Sequence, residues 1–185
     1  HLLGDEKQAI FIWSAATALA AAALRSSPLT IGASMLAAAW MLAYPLERWS
    51  AYDMPLTYPL AVVALYALSF WTDSRASRHI LVLSLLLYVF VYYWRDEAFI
   101  VPVALITASA ALFAFARMKP DVAGRVLGLG ISATMHALLG FLTGIGIIQL
   151  ELVDQQGFLL ATIVALAGIV AALLLGGRDR ALLRR

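Results

Sequence analysis

A chain of 185 residues with no cysteine excludes a disulfide-stapled fold, a thiol nucleophile and thiolate metal sites. With 63% of residues apolar and 13% charged, it departs from soluble domains, which run at about 45–50% and about 25%, and a water-soluble fold of this size could not hide so much apolar surface. The formal charge of +2 and pI near 9.1 come from short clusters between apolar runs, with no basic stripe to grip nucleic acid.

In chain order, Asp5-Glu6-Lys7 precedes the first apolar run, and no charged n-region of a signal peptide stands ahead of it. Seven apolar runs follow, at 8–24, 29–44, 55–71, 79–94, 98–116, 126–150 and 157–175. Their lengths suit the roughly 17–25 residues a helix needs to cross hydrocarbon. Each is expected to be a helix, because lipid offers no partner to bare backbone groups. The breaks carry stop signals, among them Arg25-Ser26-Ser27-Pro28, Asp53-Met54-Pro55 and Met118-Lys119-Pro120-Asp121. The loops are too short for a second domain.

Charge sorts the two sides. If the runs alternate, one side holds Lys7, Arg48 and Arg95 beside Asp5, Glu6, Glu47, Asp53, Asp96, Glu97, Glu151 and Asp154. The other holds Arg25, Arg75, Arg78, Arg117, Lys119, Arg125, Arg178, Arg180, Arg184 and Arg185, against Asp73, Asp121 and Asp179. The basic side is expected to be cytoplasmic. The expected fold is therefore an all-α membrane protein, a single domain bundling seven transmembrane helices with the N-terminus outside and the C-terminus cytoplasmic. The Arg178–Arg185 tail is expected to hold anionic lipid.

Within the predicted spans, His136 is the one ionisable side chain set deep, and no Asp, Glu, Lys or Arg joins it. Gly124, Gly128, Ser132, His136, Gly140 and Gly144 recur every four residues, a helix-packing ridge that would let a neighbour approach closely and turn His136 inward. Two readings of His136 and Ser132 stand side by side. One is a proton-sensitive switch or ligand contact, since imidazole titrates near neutral pH; the other is a neutral histidine bonded to an adjacent helix. Small residues Gly168, Ala172 and Gly176 on the last run offer a partner surface. His1, His79 and His136 fall at three different depths, so no metal site is expected. Trp13, Trp40, Tyr44, Trp49, Tyr52, Tyr58, Tyr92, Tyr93 and Trp94 gather towards the acidic side, as half of an aromatic belt or as an outward cleft for a cation, sugar or peptide. Motifs of zinc proteases, phosphate-binding loops and serine hydrolases are absent.

His1-Leu2-Leu3-Gly4-Asp5, then Trp13, then Leu24-Arg25-Ser26 and Ala39-Trp40, resemble the bacterial membrane-protein family designated domain of unknown function number 2157. The likeness covers roughly the first fifty residues and is compositional beyond them. Its family-matching positions here are His1, Gly4, Asp5 and Trp13. The resemblance implies that about three spans and a cytoplasmic segment precede His1, which would again place His1 outside. It also implies a bacterial inner-membrane location and a fair chance of other membrane proteins as partners.

The function expected is that of an integral inner-membrane protein without enzymatic activity or cofactor, a scaffold or a subunit of a membrane complex. The alternative is a permease or small-solute carrier with a midplane cavity near His136.

Overall fold

The turns between apolar runs set the architecture. The computed structural model describes residues 6–47, 55, 57–96, 100–130 and 132–152. Among the described residues the chain is helical throughout, without a strand. The helices are α1 (Glu6–Leu24), α2 (Ser27–Glu47), α3 (Tyr58–Trp71), α4 (Arg75–Asp96), α5 (Ile100–Met118), α6 (Pro120–Leu127) and α7 (Ser132–Leu152). Four of them, α1, α4, α5 and α7, are long and apolar enough to cross a membrane. The apolar part of α2 is shorter, and the 14 residues of α3 rise about 21 Å against a hydrocarbon core of about 30 Å.

The first five predicted runs correspond to α1–α5. The sixth, 126–150, is not one helix, and this corrects the expectation of a continuous ridge. Pro120 opens α6 in the first turn, where its missing N–H costs least, with Asp121 and Arg125 placed to suit the helix dipole. Gly128 ends it eight residues later in the left-handed region, φ 62°, donating its N–H to the Gly124 carbonyl. Gly130 is also left-handed, φ 57°, and α7 starts afresh at Ser132. Gly124 and Gly128 therefore belong to α6 and its cap, while Ser132, His136, Gly140 and Gly144 share α7. The seventh run, 157–175, and the Arg178–Arg185 tail lie outside the described residues, as do Gly168, Ala172 and Gly176. The seven described helices are thus not the seven expected spans, since α6 is a short amphipathic piece between two of them.

Two helical hairpins have tight turns that share a device. Among the described residues, Arg25 between α1 and α2, and Asp73 between α3 and α4, are the non-glycine residues with positive φ, both at 48°. The turns are tied to each other: Trp71 Nε1 donates to the Ala22 carbonyl at 3.3 Å, and the Arg25 guanidinium lies 3.9 Å from the Trp71 ring centroid.

Packing divides into two groups. Helices α1–α4 enclose a core of Ala33, Ala37, Trp40, Met41, Tyr58, Val62, Leu65, Leu81 and Tyr88. Helix α5 packs chiefly on α7, and a smaller cluster of Ala116, Ala123, Leu129 and Ala133 fills the space under α6. Helix α4 touches both groups. Large apolar side chains such as Leu19, Leu60, Ile100 and Met118 point outward and are exposed, the pattern of a bundle whose outer surface meets lipid. The described helices are compatible with membrane association.

Candidate functional site

The most polar part of the interior lies one turn inside α4 and α7. His79 is four residues from the start of α4, and His136 four residues from the start of α7. Both helices begin at the arginine-rich end, so the two imidazoles stand at the same level, about 6 Å up each helix. Their rings are nearly parallel, at 13°, with centroids 4.9 Å apart and His79 Nδ1 3.3 Å from His136 Nε2. This corrects the expectation that His79 and His136 lie at different depths; His1 is outside the described residues.

The protons can be assigned by elimination. His136 Nδ1 is 2.6 Å from the Ser132 carbonyl oxygen, which can only accept, so His136 carries its proton on Nδ1. Its Nε2 is then an acceptor in the neutral ring, and His79 Nδ1 must be the donor between them. Ser132 contributes its backbone oxygen to this pair. His136 itself is buried, with both ring nitrogens engaged. Among the described residues no group of three or more His, Cys, Asp or Glu is placed to hold a metal ion.

Arg78, the residue before His79, turns the other way and is also buried, at 4% exposure. It was expected in a loop with no charge inside any helix, yet α4 begins three residues before it. Its Nε donates to Ser69 Oγ at 3.3 Å, its Nη1 to the Gly128 carbonyl at 2.8 Å, and its Nη2 to the Ser69 carbonyl at 3.1 Å. Nη2 also meets the exposed carboxylate of Asp73 at 3.5 Å, and the guanidinium covers the Phe70 ring at 4.3 Å. A neighbouring Tyr66 hydroxyl donates to the Leu127 carbonyl. The last carbonyls of α6, orphaned by the helix ending, thus receive their donors from α3 and α4. A cation also suits the negative end of the α6 dipole.

Gly128 fits this hub for two reasons: its positive φ, and the collision a Cβ would make with the Arg78 guanidinium and the Phe70 ring. Further up α7, a Cβ on Gly140 would strike Ser109 Oγ, and one on Gly144 would meet Ile106 and the Pro102 carbonyl. These two glycines are where α5 comes closest. The expected belt residues divide. Trp40, Tyr58 and Tyr93 are buried, whereas Trp13 and Trp94 are exposed. Tyr58 stacks between Trp40 and Tyr88, with centroids 6.2 and 5.2 Å away, so these rings form core. His1, Gly4, Asp5, Trp49 and Tyr52 lie outside the described residues.

Two cavities open among these helices. One, of about 650 Å³, is an apolar groove between α4 and α7, lined by leucines with Phe90, Ile147 and Thr143. The other, of about 340 Å³, opens beside Arg78 under the α6–α7 break. His136 lines neither. Compared with protein-family models, with curated proteins and with solved structures, the chain finds no match.

Proposed function

We propose that the chain is an integral protein of the bacterial inner membrane that serves as a non-enzymatic scaffold or subunit of a membrane complex. In this reading the chain crosses seven times, as the alternation of its apolar runs and charged breaks suggests, with α6 lying along the cytoplasmic interface. What carries the scaffold reading is the closed state of His136: buried, bonded on both nitrogens, and outside the lining of either cavity. A carrier would be expected to open that group to water. The charge sorting supports the orientation and survives the division of the sixth run, because Arg117 in the last turn of α5 stays on one side with Lys119 and Arg125 ahead of α7.

The lack of cysteine makes the orientation simple to test. A single cysteine at Asp154 is expected to react with an impermeant maleimide on intact cells, and one at Arg125 only after the membrane is opened; labelling of both on intact cells would overturn the topology. For function, His136→Cys is expected to resist the same reagent in open membranes. Rapid labelling there would replace the scaffold with a carrier whose water path reaches the helix interior.

A further inference from the structure

We propose that the arginine-lined recess between the α3–α4 turn and the α6–α7 break binds a phosphate group. Its volume is about 340 Å³, and its lining includes Arg75, Arg78, Arg125, Asp73, Gly128 and Gly130. Three guanidinium groups against one carboxylate leave the lining at 3 − 1 = +2. The single acid is a poor counter-ion: its side chain is 89% exposed, 3.5 Å from Arg78, and its field is screened by water. A buried arginine so weakly compensated favours an anion beside it.

The recess is built, not incidental. Four of the five N–H groups of Arg78 are committed to Ser69, Gly128 and Asp73, which fixes the guanidinium plane and leaves the second Nη1 hydrogen for a ligand. Phe70 forms an apolar wall over that cation, strengthening its field within. Glycines keep the mouth clear: nothing lies within 4 Å of where a Gly130 Cβ would stand. Arg75 and Arg125 are both exposed at the rim; Arg125 donates Nε to the Asp121 carbonyl at 3.3 Å, which leaves its Nη groups to meet an oxyanion. Arginine forks match the oxygens of phosphate in pairs, and a net +2 suits a phosphomonoester dianion. Helix ends of a membrane bundle lie at headgroup level, where basic recesses hold lipid phosphates, but the same chemistry would take free phosphate.

The full-length chain in phosphatidylcholine nanodiscs separates the two sources. Its thermal unfolding would be followed by tryptophan fluorescence, first with added inorganic phosphate, then with phosphatidic acid replacing part of the phosphatidylcholine. Stabilisation by phosphatidic acid alone assigns a headgroup; stabilisation by inorganic phosphate assigns a free anion. In either case R75Q/R125Q is expected to need roughly tenfold more ligand, by loss of two surface-level cations, while R184Q/R185Q in the tail loses clearly less. Because both rim arginines are exposed, the double variant should unfold at the wild-type temperature without ligand; if it does not, R125Q alone replaces it, with roughly a threefold loss expected. No response to either source, an unchanged response in the rim variant, or an equal loss in the tail variant would overturn the site.

Discussion

The two ends of the helical bundle are held by different forces. At the arginine-rich end the helices are joined by directional bonds: Thr30 to Thr72 at 2.8 Å, Ser34 to Ser77, Arg78 to Ser69 and Gly128, and His79 to His136. Towards the other end the same helices meet through rings, Phe11 on Trp40, Trp40 on Tyr58, Tyr58 on Tyr88. Ring packing is tolerant of small shifts, whereas a buried hydrogen bond fixes both distance and direction and is expensive to leave unmade. The comparison teaches where the fold is specified. The arginine-rich end sets which helix sits beside which, and the aromatic end fills the space that choice creates.

The sharpest way to break that contrast is Arg78→Met. It keeps the bulk but strips donors from buried carbonyls of Ser69 and Gly128. A loss of about 4 kcal/mol is expected in the unfolding free energy in detergent, since the partners stay behind unpaired. Arg78→Lys should recover little of it, because one ammonium cannot span Ser69 and Gly128 together. If either variant costs less than about 1 kcal/mol, the hub is not what joins the two helix groups.

Next comes the cap beneath it. Gly128→Ala combines a left-handed backbone with a Cβ against Arg78 and Phe70, and should cost about 3 kcal/mol. Gly130→Ala shares the backbone conformation but has open space, so only the conformational part remains, about 1 kcal/mol. Chemical unfolding of the two variants side by side tests this. Equal costs would mean that the contact with Arg78 carries no weight.

The first five helices were legible in sequence because apolar length and charged breaks determine them directly. The site was not, and the reason is local. Reading 126–150 as one run put His136 ten residues deep, whereas Gly128 and Gly130 end one helix and Ser132 starts another, leaving the histidine one turn inside. Starting the fourth run at His79 made the opposite error, since that helix begins at Arg75. The two mistakes pulled apart residues that touch. The Gly128-x-Gly130 spacing after an amphipathic stretch opened by Pro120 was the available signal, being a helix stop of the usual kind. Arg78 offered no such signal. A loop arginine and a buried one look alike until the carbonyls that need it are located. For Trp40 and Tyr58 the difficulty is that amphipathic rings serve equally in a boundary belt or in a core, and only packing separates the two.

A smaller effect is expected from the histidine pair. His79→Ala and His136→Ala each remove one partner of the contact and should cost about 1–2 kcal/mol. Because they share one hydrogen bond, the double variant should cost less than the sum, with a coupling of about 1 kcal/mol. Simple additivity would show that the ring contact contributes nothing beyond burial. His136→Asn should recover part of the loss, since its amide N–H can reach the Ser132 carbonyl that Nδ1 now serves.

The smallest effects discriminate most finely, because α7 offers three glycines in different surroundings. A methyl group on Gly140 would press on Ser109 Oγ and Leu86, so Gly140→Ala should cost about 1 kcal/mol through overpacking. Pairing it with Ser109→Ala, which removes the offending oxygen, should return most of that cost in a double-mutant cycle. Gly144→Ala meets Cγ1 of Ile106, a β-branched side chain with one preferred χ1 in a helix, and the Pro102 carbonyl, and should cost about as much. Gly146 has nothing within 4 Å of a Cβ, so alanine there acts only through helix propensity, for a gain of up to about 1 kcal/mol. That pattern, loss at Gly140 and Gly144 and gain at Gly146, follows only if α5 seats on the face of α7 that carries Gly140 and Gly144. A gain at all three would mean that the small residues were never a contact surface, and that the polar end alone orders these helices.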